Sequence, residues 1–182
     1  AASDVYKRQN KDLGTLDPTL ADLIIAAASE VLSGDLDDHF PLSVWQTGSG
    51  TQSNMNANEV IATLAGKIAN IAVNPNDHVN FGQSSNDIIP TSIHVSAVLA
   101  VNGQLIPSLR HAIETIKRKA ERLKGYCKTG RTHLMDAMPV RMDQSLLAWG
   151  DQLKNNIRLL EAVLPSLQQL GLGVTAVGTG SN

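Results

Sequence analysis

The stretch Leu146–Leu167, LLAWGDQLKNNIRLLEAVLPSL, decides the fold class. Within it Leu146, Gly150, Leu153, Ile157, Leu160, Leu164 and Leu167 recur at alternating spacings of four and three. Such intervals return to one side of an α-helix, so these residues form a continuous seam of the kind that a helical bundle or coiled coil buries. Gly150 allows a close helix approach, and Pro165 predicts a local bend. Towards the N-terminus a second long pattern places Val95, Val98, Leu105, Leu109, Ile113, Ile116, Ala120 and Leu123 on one face. It is longer than an ordinary globular helix. Pro107 predicts a kink there, or a position where the backbone ladder can spare a donor. Two long, adjacent, antiparallel helices follow. Alone they would expose much apolar surface, so they require further helices from this chain or from partner subunits.

Between the two patterns lies Gly130-Arg131-Thr132-His133-Leu134-Met135-Asp136. Glycine and aspartate suit a turn, but Arg, Thr and His in a row, next to Met135, Met138 and Pro139, read as a break that lines a pocket. Polar connectors between helices are common, and a loop histidine alone does not make a site.

Further upstream, Asp17-Pro18 is an N-cap followed by proline at the first helical position, and Leu20, Leu23, Ile24, Ala27, Ala28, Val31 and Leu32 keep helical spacing up to Gly34. Phe40–Trp45 reads as an extended segment, being short and marked by proline. Thr47–Asn56 then concentrates glycines, hydroxyls and amides before a helix defined by Val60, Ile61, Leu64, Ile68 and Ile71, with Ser53 or Asn54 as its cap. Neutral donors at a helix N-terminus suit an anion. No Gly-Lys-Ser/Thr or GxGxxG pattern is present, which disfavours a nucleotide. Asn74-Pro75-Asn76-Asp77-His78 is a turn signal. Gln83-Ser84-Ser85-Asn86-Asp87 repeats the donor-loop design, with Ser85, Asn86 or Asp87 as cap of the long pattern that follows. Ala1–Gln9 has no clear period and does not begin with Met, so it is read as disordered or foreign to the natural protein.

The 182 residues carry a net charge of −2 with the two signs interspersed, which points to neither nucleic acid nor an anionic membrane as the main partner. The single cysteine, Cys127, excludes an internal disulfide and reads as a small buried hydrophobe or a bystander. No paired Cys/His spacing suggests zinc or another metal. No apolar run approaches the length of a membrane span, and no secretory leader is visible, so the expected compartment is the cytoplasm.

Four runs carry a resemblance: WQTGSGTQSNMNANEV (Trp45–Val60), NPNDHVNFGQSSND (Asn74–Asp87), GRTHLMDAMPV (Gly130–Val140) and GVTAVGTGSN (Gly173–Asn182). In this order and with these spacings they resemble class II fumarate hydratase, a member of the fumarase/aspartase superfamily, over roughly residues 10–182. The resemblance implies a mainly α fold, a fumarase/aspartase-like long-helix bundle with a small N-terminal helical domain and minor extended structure. The expected division is an N-terminal lyase domain over 10–83 and a partial central bundle over 84–182. It also implies a homotetramer whose active sites gather motifs from different subunits.

The implied reaction is the reversible hydration of fumarate to L-malate, a step of the tricarboxylic acid cycle, without metal or organic cofactor. In the malate direction, removing a proton beside a carboxylate builds a second negative charge on that group, which pre-placed donors stabilise better than bulk water does. The resemblance assigns substrate binding to Ser49, Gly50 and Thr51, to Ser84, Ser85 and Asn86, and to Thr132. It assigns proton transfer through the added water to His133, imidazole being able to hold or release a proton near neutrality. Asn74, Pro75, Asn76 and Asp77 match a secondary dicarboxylate site, although members often have His where this chain has Asn74. The mobile loop that supplies the family's serine base, with a Lys and an Asn that hold a carboxylate, is not among the 182 residues. The expectation is therefore a C-terminally truncated chain, inactive alone. Aspartate ammonia-lyase is the competing enzyme, with Gln usual at the histidine position and Ser-Thr-Asn in the second donor segment. A non-catalytic helical assembly module is the competing reading of another class.

Overall fold

A computed structural model describes residues 2–43, 45–46 and 50–180. The first α-helix, α1, is Ala2–Asp12. Of residues 1–9, read as disordered or foreign to the natural protein, those from Ala2 onward lie in this helix. Lys7, fully buried, donates from Nζ to the carbonyls of His78 (2.9 Å) and Phe81 (2.8 Å). Burial without an anionic partner pulls its pKa down to about 8.

Helix α2 spans Pro18–Leu32 and starts as its sequence dictates, with the Asp17 side chain accepting from the Leu20 amide at 3.0 Å. A short 3-10 turn at Asp37–His39 follows. Phe40–Ser43 has no regular structure, and Val44 lies outside the described residues. Helix α3, Thr51–Ala69, packs on α2 through small residues: Ala21, Ile24, Ala27 and Ala28 meet Ile61, Ala62 and Ala65, with Leu16 and Val79 completing the core. Alanine at these positions lets the two backbones come close while every side chain still leaves water.

A wide π-type turn at Pro75–Val79 separates α3 from α4, Ser85–Ala100. A second wide turn, Val101–Leu105, leads into α5, Ile106–Leu123. The amide of Ile106 reaches back five residues to Val101, so the ladder is already displaced where Pro107 would have withheld a donor. By length and apolarity the whole run Ser85–Leu123 could cross a membrane, contrary to the expectation that no segment would. Its α5 half is nonetheless a bundle helix, because Ile106 and Ile113 pack with Ile157 of α6, Met142–Leu167. Leu109, Leu153, Leu160 and Leu164 flank that contact, and a Cβ on Gly150 would lie 3.5 Å from Ile116. Gly150, Leu153, Ile157, Leu160 and Leu164 of the predicted seam thus lie at the observed contact with α5.

The break between the long helices is an antiparallel hairpin, β1 (Cys127–Thr132) with β2 (Met135–Arg141), where the sequence predicts a pocket-lining loop. Gly130 sits at an irregularity in the pairing, where a Cβ would lie 2.5 Å from the Met138 carbonyl oxygen. Cys127 is exposed on β1, so of its two readings, buried hydrophobe or bystander, the first does not hold.

The chain divides into two compact units: one runs up to Ile93 and takes in the segment from Leu170 onward, the other is His94–Gln169. The expected boundary at 83/84 lies ten residues earlier than this division.

Candidate active-site segments

The first donor segment ends in a left-handed residue. Gly50 has φ +77° and caps α3 with no side-chain hydrogen bond, so the helix starts at Thr51 rather than being capped by Ser53 or Asn54. A Cβ on Gly50 would lie 2.7 Å from Ile89 Cγ2, which puts the start of α3 directly against the first turns of α4. Glycine is therefore required both by its backbone angle and by this approach. Ser49 lies outside the described residues.

Asn54 joins the two segments. Almost fully buried, it donates from Nδ2 to Ser85 Oγ at 3.0 Å and to Asn80 Oδ1 at 3.3 Å, while Asn58 Nδ2 donates to the same Asn80 oxygen at 3.0 Å. The first and second donor segments are thus brought together in one unit. At the start of α4 it is Ser84, not the residues proposed as caps, that takes this role: its Oγ accepts from the Asn86 amide at 3.2 Å. Asn86 Nδ2 donates to the Ala176 carbonyl at 3.0 Å.

Asp87 does something the sequence reading misses. Only 1% exposed, it accepts through Oδ2 from the Tyr6 hydroxyl (2.8 Å) and from the amides of Gly173 (3.0 Å) and Thr175 (3.3 Å). Burial first, and then the bond to Asp87, raise the Tyr6 pKa to about 12. Asp87 and Asn86 together pin the glycine-rich segment 173–176 beside the second donor segment. The signal available in sequence is the glycine spacing of that segment, where Gly173, Gly178 and Gly180 all adopt positive φ.

At the proposed secondary site, Asn74 Oδ1 accepts from the amides of Asn76 (2.8 Å) and Asp77 (3.0 Å), and the Asn74 amide donates to His78 Nδ1 at 3.0 Å. Asn74 therefore spends its carboxamide oxygen on shaping the turn, and Pro75 fixes the first position of that turn.

In the other unit Thr132 closes β1 and His133 follows it in the hairpin tip, both exposed. His133 (φ 50°) and Leu134 (φ 61°) occupy the two central positions with left-handed backbones, the geometry of a tight hairpin turn that usually selects Asn or Gly. Holding a residue with a side chain there costs roughly 1–3 kcal/mol of local strain. Arg131 and Asp136 face each other across the tip at 3.7 Å, both largely exposed. At the hairpin base, Arg141 forks onto Asp143 at 3.0 and 3.1 Å and its amide donates to Gln144 Oε1, which fixes where α6 starts. Arg141 holds the Asp143 carboxyl below the usual carboxylate range.

Among the described residues no group of three His, Cys, Asp or Glu side chains could hold a metal ion. The first unit carries neutral donors at the starts of α3 and α4, and the second, taken by itself, carries the His133 imidazole at the hairpin tip.

A family model described as lyase matches residues 1–182. The chain is 55% identical over 175 residues to fumarate hydratase class II 2 of Pseudomonas aeruginosa, covering 96% of this chain and 38% of that protein. Against fumarate hydratase class II of Halobacterium salinarum the figures are 51% over 178 residues, 95% and 38%. Among solved structures, class II fumarase from Schistosoma mansoni superposes with a TM-score of 0.90 at 41% identity, covering 98% of this chain and 39% of that one. Fumarate lyase:delta crystallin from Brucella melitensis in native form gives 0.85 at 32%, covering 94% and 41%. The chain thus spans a little over a third of the length of these curated relatives. Its mainly helical fold is the one seen in those lyases, and the chain belongs to the lyase family, with class II fumarate hydratases among its relatives.

Proposed function

We propose that the protein to which these residues belong catalyses the reversible hydration of fumarate to L-malate. The observation that carries this is the roughly half identity to class II fumarate hydratases over nearly the whole chain, with both donor segments meeting at the starts of α3 and α4. In this reading Ser49, Gly50, Thr51, Ser84, Ser85, Asn86 and Thr132 bind the dicarboxylate. Their hydroxyls, amides and helix N-termini stabilise the charge that accumulates on a carboxylate as the adjacent C–H is broken. His133 takes the proton from the water that adds to fumarate and returns one when malate loses hydroxide as water. Asn74, Pro75, Asn76 and Asp77 form the secondary dicarboxylate site. The assembly is a homotetramer, which supplies the partner helices that the long apolar faces require. It works in the cytoplasm as part of the tricarboxylic acid cycle, needs no metal or organic cofactor, and has neither nucleic acid nor membrane as partner.

The test is a chimera in which these residues replace the matching part of the Pseudomonas aeruginosa enzyme. Ultraviolet absorbance of fumarate should report malate dehydration by the chimera. His133→Asn should lower turnover about a hundredfold or more without changing its assembly. The 182-residue chain alone should show no turnover. Ammonia release from aspartate in place of malate dehydration would reverse the assignment in favour of an aspartate ammonia-lyase. Unchanged turnover in His133→Asn would remove His133 from the chemistry.

A further inference from the structure

The bond between Asn54 and Ser85 has a direction. Asn54 is 6% exposed, sits on the inner side of α3, and is not among the residues assigned to substrate. Its Nδ2 donates to Ser85 Oγ at 3.0 Å and to Asn80 Oδ1 at 3.3 Å. Asn80 Oδ1 also receives Asn58 Nδ2 at 3.0 Å, and Asn58 is 1% exposed. Two buried amides thus converge on one acceptor, and that shared acceptor turns the donor side of Asn54 towards Asn80 and Ser85 together.

A serine hydroxyl has one hydrogen to give and accepts through its lone pairs. With Asn54 donating into Ser85 Oγ, the Ser85 hydrogen cannot be used against Asn54. Among the described residues it meets no other acceptor, and Ser85 is only partly buried. The hydroxyl is therefore held in the donor state towards the side that α3 does not cover. An anionic carboxylate accepts hydrogen bonds and cannot donate them, so a serine in the donor state is what such a ligand needs.

We propose that Asn54 is a positioning residue: by donating into Ser85 Oγ, it commits the Ser85 hydroxyl to donate to a substrate carboxylate. This rests on the dicarboxylate-hydrating reading above, within which it assigns a role to a buried side chain that does not itself touch substrate. The pairing also explains why the first two donor segments must fold as one unit, since Gly50 against Ile89 and Asn54 against Ser85 are two parts of the same α3–α4 contact.

The experiment uses the full-length chimera and the isosteric change Asn54→Asp. An ionised carboxylate at this position can only accept, so Ser85 must donate inward and loses its donor role. Expected is a fall of roughly 10²–10³-fold in kcat/KM for malate, the scale of removing one preorganised donor, with an unchanged oligomeric state and a lowered thermal midpoint, because the buried carboxylate also faces Asn80 Oδ1 and cannot donate to it. Two readouts separate positioning from mere support. In a Ser85→Ala background, Asn54→Asp should cost little more, because the hydroxyl it acts through is gone. The ratio of variant to parent activity should also rise as pH falls, because the introduced carboxyl, once protonated, again offers a hydrogen to Ser85 Oγ. Parental kcat/KM in Asn54→Asp, or a full additive loss in the double variant, would overturn the inference while leaving the hydratase assignment intact. No turnover by the unmutated chimera would overturn both.

Discussion

Gly50 shows how one residue can answer two demands, and how sequence reveals only one of them. A glycine in Thr47–Asn56 reads as a place where backbone approaches a ligand. In the structure the close approach is to Ile89 of the neighbouring helix, and the positive φ is what lets α3 begin at Thr51. Gly50→Ala therefore meets a left-handed backbone and an overlap with Ile89 at once. Together these should cost about 1–3 kcal/mol, measured as a lowered urea midpoint with unchanged slope. Adding Ile89→Ala removes the overlap and leaves the backbone cost, so the double variant should lose less than the sum of the two single changes. Strict additivity would mean that the two residues do not meet. His133 is the opposite case. The residue type and its neighbours point to it, but nothing in the local sequence announces its left-handed backbone, because the turn it occupies usually selects Asn or Gly.

Among the elements, helices are legible and the hairpin is not. The seam of α6 is a period of 3.6 written in large aliphatic residues, and each of its buried or flanking members follows from spacing alone. Asp17-Pro18 likewise announces α2 through a cap whose chemistry is local. By contrast, almost every residue of β1 and β2 is exposed, so there is no alternation of apolar and polar positions from which a strand could be read. Strand pairing here is set by the tip and by Gly130, both of which look like loop chemistry in sequence. The long-range ties of Asp87 and Asn54 are illegible for a related reason: an amide or a carboxylate near a helix start looks like a cap until its partners, more than thirty residues away for Ser85, are known. If the α5–α6 seam carries the second unit, Ile157→Ala should lower its stability by about 2–4 kcal/mol, the usual range for emptying a buried aliphatic site. Exposed Arg158→Ala should stay within about 0.5 kcal/mol. Comparable losses from both, by circular dichroism in urea, would show that the seam is not where the stability resides.

At the scale of the whole molecule, α6 carries apolar residues on more faces than α5 covers. Trp149, Leu159 and Val163 are 58%, 59% and 53% exposed, and at 100° per residue they centre about a quarter turn from the middle of the seam that contains Ile157. Ile93 and Leu99 on α4 are likewise 59% and 67% exposed. A helix with apolar residues on two faces belongs inside a bundle larger than a pair, because each uncovered large side chain forgoes roughly 1.5–3 kcal/mol of burial. The same surface explains why sequence can call for partner helices without identifying them: periodicity shows that a face must be covered, and not by what. The 182-residue chain should therefore self-associate, its weight-average mass in sedimentation equilibrium rising with concentration above that of a 19.4 kDa monomer. Leu159→Glu combined with Val163→Glu places two charges on that second face and leaves the Ile157 seam intact. The double variant should sediment as a monomer over the same range while keeping its helical circular dichroism. A parent chain that is monomeric throughout, or a double variant that associates as strongly as the parent, would show that the second apolar face of α6 is not a contact surface.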